Sequence, residues 1–206
     1  MSKEILNLVS EYYTDKIKEH GATPRGVDWN GEESQVMRFA QLSKVIENNP
    51  DKFSLLDFGC GYGSMIDYLE GSFGEAVKYF GFDISEEMIL SARNKYVEKG
   101  TFFSDINNDL VYDYTLASGI FNVRQEVDDE SWEEYVFETL NTINAKSLKG
   151  FSFNMLTSYS DKEFMKAYLY YASPERMFAY CKSNFSNKVA LLHDYPLYEF
   201  TIVVKK

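Results

Sequence analysis

The chain has 206 residues, enough for one domain with a full core and short for two. At 45% hydrophobic and 26% charged residues it has the composition of an ordinary soluble globular protein. A net charge of −11 argues against a nucleic-acid substrate, because phosphate backbones reward lysine and arginine through counterion release, and a solvated acidic surface is the simplest account of it.

The chain opens on Met1-Ser2-Lys3-Glu4 and passes into a charged amphipathic segment rather than a signal peptide. Ile5, Leu6, Val9, Tyr12, Tyr13 and Ile17 recur at helical spacing over residues 4–19. The stretch Gly21 to Trp29 is a predicted loop. A second helix carries Val36, Met37, Phe39, Leu42 and Ile46 and stops at Asn48-Asn49-Pro50-Asp51. From Phe53 onward strands alternate with helices. Strands are predicted near 53–58, 77–82, 101–104, 112–118 and 150–156, with helices near 63–70, 85–98 and 130–145 between them. Continuous apolar strands separated by helices imply a parallel sheet covered on both faces. A helix near 174–183 follows, and then Lys188 to His193 and Leu197 to Val204 form a terminal hairpin around Asp194-Tyr195-Pro196. The expectation is a Rossmann-like α/β fold: a seven-stranded, mostly parallel sheet with helices on both faces and a C-terminal antiparallel hairpin. It would form a single domain over 1–206, with residues 1–48 as a helical lid, 49–206 as the core and an insertion near 157–173. No apolar run reaches the length of a membrane span, so no membrane partner is expected and the expected compartment is the cytoplasm. The two cysteines, Cys60 in a turn and Cys181 in a helix, are not expected to pair.

The most informative stretch is Asp57-Phe58-Gly59-Cys60-Gly61-Tyr62-Gly63. An apolar strand ends in a carboxylate and then in three glycines spaced two apart, which lets backbone N–H groups approach a ligand closely. Twenty residues past Gly63 the next strand ends in Asp83, the spacing at which an α/β nucleotide site sets a carboxylate on ribose hydroxyls. A phosphate loop would need Gly-Lys-Ser/Thr, and Gly63-Ser64-Met65 lacks the lysine. A dinucleotide fingerprint would need a third glycine where Ser64 stands. A purely structural glycine turn is the remaining alternative.

Four segments in register resemble class I S-adenosylmethionine-dependent methyltransferases of the small-molecule branch. Asp57 to Gly63 matches their first motif, and Gly81-Phe82-Asp83-Ile84-Ser85-Glu86-Glu87-Met88 looks like the second. Ser104-Asp105-Ile106 resembles the third, and Tyr112 to Gly119 the fourth. The resemblance covers roughly residues 36–206 and includes the terminal hairpin. It implies S-adenosylmethionine as cofactor, S-adenosylhomocysteine as product, and roles residue by residue. Gly59, Cys60 and Gly61 would pass under the methionyl part, and Asp57 would hold the turn or the cofactor's amino group. Asp83 would accept from both ribose hydroxyls, while Ile84 and Met88 pack on the adenine. Asp105 and the Ile106 backbone would meet the adenine amino group, with a turn or cap as the plainer role for Asp105. Ser118 and Gly119 would border the sulfonium. Tyr13, Trp29 and Arg38 are spaced like the aromatic and arginine positions that such enzymes use near the cofactor carboxylate. Arg38 is therefore a candidate clamp, although a surface arginine on an amphipathic helix has the same look.

Substrate contacts are expected from Trp29, from Asn122 and Arg124 after the fourth strand, and from Tyr159 and Tyr170 in the insertion. The catalytic residue is not assigned. His20, Glu126 and His193 are the candidate general bases, and a helix-dipole contact explains His20 equally well. The acidic run Asp128-Asp129-Glu130 reads as a helix start, and no metal is expected. Asn154 is a polar residue inside an apolar strand and, if buried, needs hydrogen-bond partners. The expected activity is methyl transfer to O or N of a small metabolite, such as a sugar derivative or secondary-metabolite precursor, by a monomer or homodimer. The alternatives are a protein or RNA methyltransferase, or a non-catalytic cofactor-binding partner subunit.

Overall fold

A computed structural model describes residues 3–27, 31–48, 50–106 and 109–206. The elements are α1 (Lys3–His20), a 3-10 turn (Pro24–Val27), α2 (Glu32–Leu42), β1 (Phe53–Phe58), α3 (Met65–Phe73), β2 (Val77–Phe82), α4 (Glu86–Lys95), β3 (Thr101–Phe103), β4 (Tyr112–Ala117), α5 (Asp129–Lys146), β5 (Ser147–Leu156), α6 (Pro174–Asn184), β6 (Lys188–Leu192) and β7 (Glu199–Lys205). The sheet has seven strands in the order β3-β2-β1-β4-β5-β7-β6. Strands β1 to β5 pair in parallel, and β7 lies antiparallel to both β5 and β6. The expected mixed sheet with its terminal hairpin is therefore the observed one.

Strand alternation divides the core into two layers. Phe53 and Leu55 of β1 join one cluster with Phe39, Leu42, Met65, Leu69 and Ile89 from α2, α3 and α4. Leu56 and Phe58 face the other, with Trp132, Val136 and Leu140 of α5 and Met177 and Cys181 of α6. Covering both faces explains why the central strands read as unbroken apolar runs. A register shift between Tyr112 and Tyr114 of β4 sends these two tyrosines into different clusters although they are two residues apart. Cys60 and Cys181 are both buried and free.

Several boundaries differ from expectation. Strand β5 begins at Ser147 rather than near 150, because α5 runs straight into it. The Ser147 hydroxyl bonds Ile143 O at 2.7 Å and Thr115 Oγ1 at 2.8 Å, closing the helix end onto the sheet. Helix α4 stops at Lys95 rather than near 98, and Glu98 has φ +66°, a left-handed conformation that a helix cannot carry. The insertion near 157–173 contains one 3-10 turn (Lys162–Phe164) and is pinned by the bridges Val123↔Leu169 and Thr157↔Ala172. Phe164, at the end of that turn, is 58% exposed. No helix among the described residues is long and apolar enough to cross a membrane.

Candidate active site

The C-terminal ends of β1 and β4 are adjacent, and the site is built on the turns that leave them. After β1 the chain turns through Gly59, Gly61 and Gly63 at φ +80°, +54° and +82°. Gly59 N and Cys60 N both donate to Phe82 O, at 2.7 and 2.9 Å. A Cβ on Gly59 would lie 2.2 Å from Ile120 Cγ2, and one on Gly61 would lie 2.8 Å from Val27 Cγ1. Space that the sequence reading reserves for a ligand is thus partly filled by two apolar side chains, one from the turn after β4 and one from the N-terminal segment.

Asp83 directly follows β2 and organises this turn. Its Oδ2 accepts from Gly61 N at 2.8 Å and its Oδ1 from Ser85 N at 2.9 Å. Burial pushes its pKa up to about 6, and the two backbone donors oppose the rise. Asp57 Oδ2 accepts from the Tyr79 hydroxyl at 2.6 Å. Burial raises the Asp57 pKa to about 7; the Tyr79 bond works against this and the Asp83 charge adds to it. Asp57 Oδ1 and Ser118 Oγ are buried and have no hydrogen-bond partner among the described residues.

These groups line a narrow cavity of about 80 Å³, in keeping with the two apolar side chains that fill part of the space beside the glycine turn. Its wall includes Asp57, Gly59, Cys60, Gly61, Asp83, Ile84, Met88 and Ser118, all singled out from the sequence. Tyr13, Val27 and Gly119 line both this cavity and a second, larger cleft of about 800 Å³, so the two adjoin. The second cleft is walled by Arg38, Asn122, Lys166, Glu199 and a set of aromatic side chains: Phe164, Tyr168, Tyr171, Tyr195 and Tyr198.

Other expected site residues stand elsewhere. Arg38 is not at the first cavity. Its Nε lies 2.8 and 2.7 Å from the two Glu199 carboxylate oxygens and its Nη2 also bonds Glu199, because α2 crosses the start of β7. Asp105 is exposed and Ile106 packs on the larger core cluster; neither lines the cavity. Asn122 lines the second cleft, but its Oδ1 is occupied by Leu156 N at 3.2 Å. Arg124 turns away from both cavities to bond Val127 O at 2.5 Å and pair with Asp129 at 3.3 Å, closing the loop before α5. Tyr159 is 65% exposed with its hydroxyl on Glu175, and Tyr170 is buried in the core; neither lines either cavity. His20 pairs with Glu19, His193 packs beside the rings of Tyr159 and Phe200, and Glu126 is exposed, all three outside both linings. Trp29 lies outside the described residues. No cluster of side chains that could hold a metal ion occurs among the described residues.

One buried arrangement was not anticipated. Glu199, 2% exposed, also accepts from Asn154 Nδ2 at 2.5 Å, and Asn154 Oδ1 accepts from Gly119 N at 2.9 Å. Asn154 drew notice in the sequence as a polar interruption of a strand. Glu199, between Tyr198 and Phe200, carried the same signal.

A methyltransferase domain family matches residues 55–136. The "Putative methyltransferase Rv1506c" of Mycobacterium tuberculosis is 47% identical over 163 residues, covering 78% of this chain and 98% of that protein. Among solved structures, the DhpI–SAM–HEP complex aligns with TM-score 0.67 at 15% identity over 100% of both chains. The plantazolicin methyltransferase BpumL, in complex with a pentazolic desmethylPZN analog and SAH, aligns with TM-score 0.59 at 16% identity over 100% of both chains.

Proposed function

The chain belongs to the class I S-adenosylmethionine-dependent methyltransferases, and from that premise we propose that it methylates O or N of a small-molecule acceptor seated in the second cleft. The observation that carries this reading is the junction at Gly119. A cavity with two buried carboxylates meets an aromatic-walled cleft there. The residues of the first cavity suit the cofactor. Asp83 is held by two backbone donors, one on each oxygen, and each oxygen keeps a lone pair for a ribose hydroxyl. The partnerless Asp57 Oδ1 and Ser118 Oγ are acceptors for the amino group of the methionyl end. Ile84 and Met88 offer apolar surface for the adenine.

When bound, S-adenosylmethionine supplies a methyl group on a sulfonium, transferred by in-line displacement with the bonding pair retained by sulfur. The chain's contribution is alignment and exclusion of water. The turn after β4 sets the acceptor cleft against the cofactor cavity, and Tyr13 and Val27 cover the junction. Tyrosine faces at the junction favour a cationic centre.

Calorimetry with S-adenosylhomocysteine tests the cofactor half. The wild-type chain binds it, and Asp83→Ala weakens binding by about tenfold or more, since charge-assisted hydrogen bonds contribute roughly 1.5–3 kcal/mol. Absence of binding by the wild type overturns the reading, and unchanged affinity of the variant removes Asp83 from it.

A further inference from the structure

On the reading just given, that the second cleft takes the acceptor, we propose that the acceptor is a small anion built on a flat aromatic or heteroaromatic ring, with its negative group at Lys166 and its ring on the tyrosine wall. The charged side chains lining the cleft, among the described residues, are Arg38, Lys166 and Glu199. Arg38 and Glu199 neutralise each other as a buried pair, with side chains 12% and 3% exposed. Lys166 forms no ion pair with a carboxylate among the described residues. Lys166 is therefore the lining cation left for an incoming group, while Asp161, on the Tyr198 hydroxyl, and Glu163 lie outside the lining, in a chain whose net charge is −11.

Two tyrosines of the same wall fix Lys166 there. Its backbone N donates to the Tyr171 hydroxyl at 2.9 Å, and its Nζ lies 3.5 Å from the Tyr168 hydroxyl and 5.8 Å from the centre of that ring. An anion at Nζ thus has the Tyr168 hydroxyl within reach as a second donor. Phe164 and Tyr198 stand with ring centres 5.9 Å apart and are exposed, offering faces on which a flat ring stacks. Tyrosine faces also attract cations. Lysine decides between the two charges, because a like charge about 4 Å away costs roughly 1–4 kcal/mol at effective dielectrics between water and a protein surface.

Three probes share one ring and differ in charge: phenylacetate, phenethyl alcohol and phenethylamine. Each is titrated by calorimetry into the full chain with and without S-adenosylhomocysteine. Phenylacetate should bind up to about fivefold more tightly than the alcohol, and the amine should bind most weakly. Lys166→Glu, on the exposed side of the wall and melting where the wild type does, should abolish the carboxylate preference. Equal affinities, a preference for the amine, a preference that survives Lys166→Glu, or no binding by any probe at about 10 mM, where even a millimolar site fills, overturns the proposal. S-adenosylhomocysteine titrated alone reports separately on the cofactor cavity. Loss of its binding with a retained carboxylate preference overturns methyl transfer and leaves the anion site standing.

Discussion

Asp57 and Asp83 are carboxylates kept in a low-dielectric wall, and both titrate near neutrality: Asp57 at about 7 and Asp83 at about 6. Because both pKa values are raised on folding, the folded chain binds more protons than the unfolded chain between about pH 4 and pH 7. In that window the unfolding free energy falls as pH rises. The ligand-free protein should therefore gain stability from these two groups as pH drops from about 7 to 5. Below that range Asp113 and Asp128, held below the usual carboxylate range by hydrogen bonds from Ser54 and Ser131, lose their stabilising contribution. Cofactor binding runs the other way. In the proposed site ribose hydroxyls would donate to an ionised Asp83, and at one unit below its pKa only about a tenth remains ionised. Affinity for S-adenosylhomocysteine should fall about tenfold between pH 7.5 and 5. Asp83→Asn should bind weakly and show a flatter profile. A wild-type affinity that does not change over that range removes Asp83 from the ribose contact.

At the scale of elements, the second cleft is held in shape by a chain of polar contacts that crosses the sheet. It runs from Arg38 on α2 to Glu199 at the start of β7, then to Asn154 in β5 and to the Gly119 amide after β4. Removing one partner of a buried pair leaves a charge without compensation, at a cost of about 3–5 kcal/mol, whereas apolar replacement of both is close to neutral. Arg38→Met should lower the unfolding free energy by that amount in urea titrations, and Arg38→Met/Glu199→Gln, which removes the second charge but keeps an acceptor for Asn154 Nδ2, should recover part of it. If the double variant is less stable than Arg38→Met, the pair is not the source of the loss. This chain of contacts also marks where sequence reading ends. The strands were legible because each buries both faces and is bounded by local turn chemistry, and the glycine turn and Asp83 were legible because their spacing is local. Arg38 and Glu199 lie 161 residues apart, and only the packing of α2 over β7 reassigns the arginine from a ligand clamp to an ion pair. For the same reason Tyr159 and Tyr170 could not be told from Tyr168 and Tyr171. Their pattern is one tyrosine-rich stretch, and the bridges of the insertion decide which rings face the cleft.

For the molecule as a whole, the strand order places β1 between β2 and β4, so the chain leaves β1 toward one side of the sheet and returns to the other. Open α/β sheets bind ligands at such a switch point, and here the N-terminal segment crosses it. Helix α1 has 18 residues but buries only Ile5, Val9 and Ile17. Among its attachments beside the first cavity are these. Thr14 bonds Ser85 at 2.7 Å, Lys18 pairs with Glu87 at 3.3 Å, and Ile17 packs with Tyr62 and Met88, against which Val27 and Tyr13 also rest. A segment with so little buried surface opens at a free energy well below that of the sheet. Because Val27 stands against Gly61 and lines both cavities, the expectation is that opening of this segment admits the ligand and that ligand binding holds it shut. Hydrogen exchange should therefore show slowed amides across residues 3–27 when S-adenosylhomocysteine is added, with β4 and β5 unchanged. Protection confined to the glycine turn and the start of α4, with α1 exchanging as fast as before, would mean that the ligand is held by the sheet edge alone and that the N-terminal helix does not act as its cover.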